Sequence, residues 1–244
     1  MLNDAVILIT GAGKGIGEAV VIELLERKTQ FPGLKLFLTS RTLADLEKLS
    51  LKAAESGIPC EFLAQDLAAD PLAAVQACVA KFGRIDSLIH SAGVGRFGDF
   101  LELSTDDLKY VIQNNIEATF ILLQAAYRQM KSQNPAKSLR GQIQCITSVA
   151  AEKPFPQSSI YCMSKFAQRG LLEVMRHFAH QDRIRILEIQ PGATFTPMWG
   201  EVSAEMKAKM MEPRDIAGPM VDALLLSEKA SLEVLTLRPL AGDL

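Results

Sequence analysis

Apolar residues fall in two patterns along this chain, short β-rich runs and longer stretches at helical spacing, and the two alternate from end to end. Ala5 to Thr10 is the first run; TGAGKGIG follows, and Ile16, Val20, Ile22, Leu24 and Leu25 then mark a helix. LKLFLTS, Leu34 to Ser40, predicts a second strand reached through the turn segment TQFPG, and LADLEKLSLKAAESG predicts the helix after it. Further strands are expected at Pro59 to Gln65 and in IDSLIHSAG, GQIQCITS, RIRILEIQPG and SLEVLTLRP. A helix is expected from Ser104 to about Met130, with Asp107 at its N3 position as a variant capping box. Others are expected through Tyr161 to Phe178, where Ser158 or Ser159 is the candidate cap, and from Pro213 to Leu226. The alternation implies an α/β fold. At 244 residues the whole chain, 1–244, can form one such domain with a large core, and no repeat, low-complexity segment or linker divides it.

Charge and cysteine content narrow the partners. With 26 basic and 28 acidic residues, a formal net charge of −2 and no basic run, a nucleic-acid surface is not expected, and a small-molecule partner fits better. Cys60, Cys78, Cys145 and Cys162 form no CxxC pair, which predicts reduced intracellular thiols and no zinc site. His177 and His180 are three residues apart on an expected helix, but nothing nearby completes a ligand set, so no metal is expected. The opening MLNDAVILITG has five consecutive apolar residues with no basic region before them, unlike a secretory signal. No run reaches the ~18 apolar residues of a membrane span. A soluble, cytoplasmic protein is the expectation.

Candidate chemistry concentrates in ITSVAAEKPFPQSSIYCMSKF, Ile146 to Phe166. Ser148 ends an apolar strand, Tyr161 follows thirteen residues later beyond Pro154 and Pro156, and Lys165 lies one helical turn further on. A free tyrosine has a pKa of about 10, and a nearby ammonium favours the phenolate, so Lys165 is expected to make Tyr161 a usable general acid or base. The Ser148 hydroxyl can then hold a substrate oxygen. A tyrosine and lysine that merely share an exposed helix face are the alternative for any isolated pair. Asn114 and Asn115 lie among apolar residues of the preceding helix, where an amide needs a partner. Asn115 is a candidate to hold a water that connects Lys165 to solvent; an amide-to-backbone bond is the other reading.

The N-terminal glycines supply the second half of the site. Gly11, Gly15 and Gly17 stand between a strand and a helix, with spacing GxxxGxG rather than GxGxxG, where a pyrophosphate can approach the free N–H groups of Gly15, Ile16 and Gly17. A tight turn alone is the weaker alternative. An acidic residue at the end of the second strand would suit the ribose hydroxyls of NAD, but Ser40 and Arg41 stand there, and Lys14 lies in the loop; these suit a 2′-phosphate, so NADP(H) is expected. Arg41 could instead cap or solvate the next helix. Asp66, with Leu67, can reach an adenine amino group or cap the helix after it. Ser91, Ala92 and Gly93 are small enough to pass close to a cofactor ribose. Thr196 is placed to bond the nicotinamide carboxamide with help from Thr194, and Met198, Trp199 and the Met-rich stretch to Met211 are candidates to close over substrate, or to pack ordinarily.

TGAGKGIG, HSAG, Asn115, Ser148, Tyr161-x3-Lys165 and PGATFT together resemble the short-chain dehydrogenase/reductase family over the full length. The resemblance implies a doubly wound Rossmann domain, a seven-stranded parallel sheet in order 3-2-1-4-5-6-7 between helical layers. It implies an Asn, Ser, Tyr, Lys tetrad on Asn115, Ser148, Tyr161 and Lys165, and cofactor contacts from Pro191, Gly192, Thr194 and Thr196 of PGATFT. HSAG stands where NNAG is usual, so at position 91 the asparagine's hydrogen bond has to come from Ser91 or water. KTQFPG, SSIYCMSKF and RPLAGDL are similar to bacterial sepiapterin reductase-like enzymes, which makes Asp243 a candidate substrate anchor; a disordered terminal carboxylate is the alternative. The family also implies a homodimer or homotetramer paired through the helices of Asn115 and Tyr161; an apolar face around Phe120, Leu123 and Tyr127 is consistent with this and equally explained by the protein's own core. The implied activity is NADPH-dependent reduction of a ketone or dicarbonyl, sepiapterin or a related pterin side-chain carbonyl. A generic carbonyl or 3-oxoacyl reductase shares every feature, and a non-catalytic NADP-sensing regulator is the reading from another class.

Overall fold

The computed structural model describes residues 3–135 and 139–244. Seven parallel strands form one sheet in the order β3-β2-β1-β4-β5-β6-β7. They are β1 (Val6–Thr10), β2 (Lys35–Ser40), β3 (Cys60–Ala64), β4 (Ser87–His90), β5 (Gly141–Ile146), β6 (Ile184–Pro191) and β7 (Val234–Leu237). Every residue of β1, β4 and β6 is buried; β1 accordingly reads as a near-continuous apolar run, whereas β4 and β6 also bury Ser87, His90, Arg185, Glu188 and Gln190. Side chains still alternate between faces. Ile7 and Ile9 join one core with α1 (Gly15–Glu26), α2 (Leu43–Glu55) and α8 (Pro213–Leu224), whereas Val6 and Leu8 join a second with α3 (Ala73–Phe82), α5 (Ala118–Ser132) and α6 (Ser159–Ala179).

The order reverses between β1 and β4, and this switch point opens a crevice at the carboxyl ends of the strands. Thr10 and His90, facing each other in register, mark its floor.

Three local features refine the expectation. The long helix after Ser104 is divided: α4 (Thr105–Val111) passes through a wide π-helical turn, Ile112–Glu117, before α5 begins. Its capping box forms as expected, with Asp107 N–H donating to Ser104 Oγ at 3.1 Å and Ser104 N–H donating to the Asp107 carboxylate at 3.1 Å. At the start of α6, neither expected serine caps through its side chain; Ser158 occupies the N-cap position, but its hydroxyl donates to the Pro156 carbonyl at 3.4 Å. Finally, Leu123 and Tyr127 are buried in the second core, so of the expected apolar face only Phe120 points outward.

Candidate active site

The glycine loop is shaped by close approach. Gly11 and Gly15 hold positive φ values of 65° and 59°. A Cβ on Gly11 would lie 2.7 Å from the Ala92 nitrogen, and one on Gly17 only 2.2 Å from the Gly11 carbonyl oxygen. The loop therefore lies against the Ser91–Ala92 backbone, and α1 begins tight against the turn. On the opposite side, a Cβ on Gly15 would meet Thr196 at 3.2 Å, so the loop and the segment after β6 face each other. The first amides of α1, from Gly15, Ile16 and Gly17, have no acceptor within the helix and suit an anion.

Around this loop stand the expected phosphate ligands. Lys14 occupies the N-cap of α1 and pairs loosely with Asp45 at 3.7 Å. Arg41 is exposed directly after Ser40, and the N-cap of α2 is Thr42, so Arg41 does not cap that helix. Asp66 is exposed, and its Oδ1 accepts from the Ala68 amide at 3.0 Å; the start of α3 is held by Asp70, which accepts from Leu72 and Ala73 at 3.1 Å each. Capping is thus not the role of Asp66. Leu67 packs against the second core.

The second cluster gathers at the ends of β4, β5 and α6. Gly93 brings the loop after β4 beside Asn115 and Lys165, since a Cβ there would sit 3.6 Å from both Asn115 Oδ1 and Lys165 Nζ. Asn115, buried in the π-helical turn, accepts from the Val94 amide at 2.9 Å and donates to the Val94 carbonyl at 2.8 Å and Ser164 Oγ at 3.0 Å. Its side chain thus makes the amide-to-backbone bond, while Asn114 donates to Tyr110 O one turn back at 2.8 Å. The main-chain carbonyl of Asn115 accepts from Gln168 Nε2 at 2.8 Å, and Gln168 Oε1 accepts from Lys165 Nζ at 2.9 Å. The connection from Asn115 to Lys165 runs through this glutamine, which the sequence reading missed. Its signal was available: Gln168 lies three residues after Lys165 on the face that carries it. One residue before position 91, the His90 ring bridges Thr10 Oγ1 at 2.7 Å and Thr119 Oγ1 at 2.9 Å.

Ser148 is buried, accepts from the Ala150 amide at 3.0 Å and so caps the short 3-10 turn Val149–Ala151. Tyr161 lies one turn before Lys165 on α6, with Lys165 Nζ 5.6 Å from its ring centroid and the Phe97 ring 5.2 Å away, tilted by 52°. Lys165 also donates to the Ile146 carbonyl at 3.2 Å. Burial pulls its pKa down to about 8 against the opposing pull of Cys145 and Glu188. Burial also pushes the Tyr161 phenol up to about 12, and its hydrogen bond with Ser148 only partly offsets this. The acidification expected from Lys165 does not prevail, because desolvation of the phenol outweighs it; the ammonium itself lies beneath the ring and donates to Ile146 and Gln168.

The remaining candidates line the segment after β6. Pro191 ends β6, Gly192 donates to the Leu237 carbonyl at 2.7 Å, and Thr194 is buried with its hydroxyl donating to Gly192 O at 3.0 Å. Met198 and Trp199 are exposed in the 3-10 turn Pro197–Trp199, ahead of α7 (Ala204–Lys209). The stretch is anchored beyond α7: Phe195 donates to Met211 O at 2.8 Å and Met211 to Ala193 O at 3.0 Å. Asp243 is not a loose carboxylate. Lys153 pairs with it at 3.0 Å and Arg238 pairs with its other oxygen, which holds its carboxyl below the usual range. No group of three metal-ligating side chains occurs among the described residues, and no described helix is long and apolar enough to cross a membrane.

A parallel sheet with a glycine turn at its switch point, facing a Ser, Tyr and Lys cluster, defines a Rossmann-type oxidoreductase. A family model described as short chain dehydrogenase matches residues 5–207, and the chain belongs to that family, whose members bind nicotinamide cofactors and act on small molecules. It is 45% identical to a sepiapterin reductase from Chlorobaculum tepidum, over 98% of each chain. It is 30% identical to a farnesol dehydrogenase from Aedes aegypti, over 96% of this chain and 95% of the other. Among solved structures it is similar to an alcohol dehydrogenase from Thermococcus sibiricus complexed with 5-hydroxy-NADP, with a TM-score of 0.85 and 27% identity over 98% of each.

Proposed function

We propose that this chain is an NADPH-dependent reductase of a ketone or dicarbonyl, with the side-chain carbonyl of a pterin such as sepiapterin as the preferred substrate class. The observation that carries it is the convergence of Ser148, Tyr161 and Lys165 at the crevice whose glycine loop carries Lys14 and lies against Ser40, the residue before Arg41. The similarity to a sepiapterin reductase along nearly the whole chain supports the substrate class.

The turn at Gly11, Gly15 and Gly17 suits a pyrophosphate, because side chains there would strike Ala92, Thr196 and the Gly11 carbonyl and push the turn away from the first amides of α1. Lys14, Ser40 and Arg41 would hold the 2′-phosphate, Asp66 and Leu67 the adenine, Ser91 to Gly93 the ribose, and Pro191, Gly192, Thr194 and Thr196 the nicotinamide end. Bound there, the reduced nicotinamide supplies a hydride.

The protein's own residues then manage the oxygen and its proton. Ser148 orients the carbonyl oxygen. With its pKa near 12, Tyr161 is a neutral phenol at pH 7, the form that donates a proton to the developing alkoxide. Lys165, charged below about pH 8, stabilises the phenolate left behind and holds the nicotinamide ribose. Asn115 fixes the loop at Val94 and completes the path that re-supplies the proton. Phe97, Met198 and Trp199 supply apolar contact for a planar substrate, and Asp243, held by Lys153, anchors its polar edge. A homodimer or homotetramer forms through the exposed apolar residues Phe120, Met163, Phe166, Val174 and Phe178 of α5 and α6.

Tyr161→Phe tests the reading. NADPH binding, followed by cofactor fluorescence, should stay within twofold of wild type, while steady-state turnover with sepiapterin and a diketone panel should fall by about 10²–10⁴. Turnover near wild type would remove Tyr161 from the chemistry.

A further inference from the structure

Behind Lys165 runs a closed polar chain that no expected site residue explains. Gln168 is buried, and besides accepting from Lys165 it donates to the Asn115 carbonyl at 2.8 Å and to Thr119 Oγ1 at 3.0 Å. The amide has one possible orientation, since reversing it would set its oxygen against the Asn115 carbonyl and its NH2 against the ammonium. Thr119, His90 and Thr10 continue the chain to β1. His90 is neutral, because burial pulls its pKa down to about 3. One polarity then satisfies every member: Thr119 donates to His90 Nε2, and the Nδ1–H donates to Thr10.

We propose that Gln168 is a positioning residue of this site: its fixed amide oxygen holds the Lys165 ammonium charged and oriented beneath Tyr161, and so sets the alkaline limit of turnover. This rests on the role given to Lys165 above. The groups that face the ammonium are few. Tyr161 comes from its own helix, Cys145 and the Ile146 carbonyl from β5, Glu188 from β6, His90 from β4, and the Asn115 amide lies alongside at Gly93. Among them Glu188 is the one carboxylate; its Oε1 accepts from Thr147 at 2.8 Å and Gln190 at 3.1 Å, and it pairs with Arg176 at 3.7 Å, so its charge is shared. Because burial already brings Lys165 close to neutral pH, the loss of one acceptor moves its titration into the range where the enzyme is assayed.

The test is the pH dependence of kcat from pH 6 to 10 for NADPH-dependent diketone reduction by the full chain, with thermal melts and NADPH titrations as controls. Gln168→Met keeps the length and loses the amide; its alkaline limb should move down by about one pH unit, with turnover at pH 6 much less affected. Gln168→Glu gives up the bond to the Asn115 carbonyl but brings a carboxylate to the ammonium, and the added charge should move the limb up. Thr119→Val removes one anchor of the amide without touching Lys165 and should shift the limb down by less than Gln168→Met. Limbs within 0.2 of wild type in the variants that fold, or shifts of one sign in both Gln168 variants, overturn the proposal. If Gln168→Met does not fold, the direction of the other two shifts decides. Failure here with Tyr161→Phe inactive sinks only the role of Gln168, whereas an active Tyr161→Phe sinks the reading beneath it.

Discussion

His90 carries a stability cost that acid should expose. Its ring is buried between Thr10 and Thr119, and its pKa falls from 6.5 to about 3. Below pH 6.5 the unfolded chain binds a proton that the folded chain refuses, so stability is lost as pH falls from 6.5 toward 3. Between pH 7 and pH 5 the loss from this one residue is about 2 kcal/mol, with 1.36 kcal/mol per pH unit once the unfolded histidine is charged. The window isolates it. Asp107, Asp182 and Asp243 have carboxyls held below 3.8, so their contributions are lost only as pH falls through and below that value. Lys165 stays protonated on both sides of folding there. Urea unfolding of wild type and His90→Gln at the two pH values measures the difference. Wild type should lose about 2 kcal/mol more than the variant on going from pH 7 to pH 5. Equal losses would mean that the buried imidazole accepts a proton in the folded state, and the neutral chain behind Lys165 would be wrong.

Two further predictions address the cofactor half of the site. Arg41→Ala should raise the NADPH KM by about ten- to a hundredfold, the worth of a hydrogen bond to a charged group, while the NADH KM changes little; equal changes would remove Arg41 from the phosphate. Gly17→Ala forces a methyl group within 2.2 Å of the Gly11 carbonyl oxygen, so α1 must back away from the turn. Thermal melts should show a loss of about 1–3 kcal/mol together with weaker NADPH binding, and an unchanged variant would show that the turn and α1 are not in tight contact.

Elements and glycine turn were legible in the chain because a strand buried on both faces, such as β1, leaves a continuous apolar run, and the positive-φ positions of the turn carry Gly11 and Gly15. The Ser104 capping box was equally readable, being local. What stayed hidden depends on distance in the chain or on depth. His90 meets Thr10 across 80 residues and Gln168 meets Thr119 across 49, and no local spacing announces either bond. Asp66 and Asp70 differ as caps only through the turn between them. Leu123 and Tyr127 follow helical spacing whether they face a core or a partner. The response of Tyr161 to its surroundings follows from how deeply the phenol is set, which outweighs the nearby charge that the spacing reveals.

The paired bonds between Met211 and residues 193 and 195 have a consequence for variation within the fold. They fasten the intervening segment at two posts, one at the exit of β6 and one at the entrance of α8. Residues between the posts can change in length or composition without pulling on strand register, so a site of this build can be refitted for a different occupant by exchanging one short cassette.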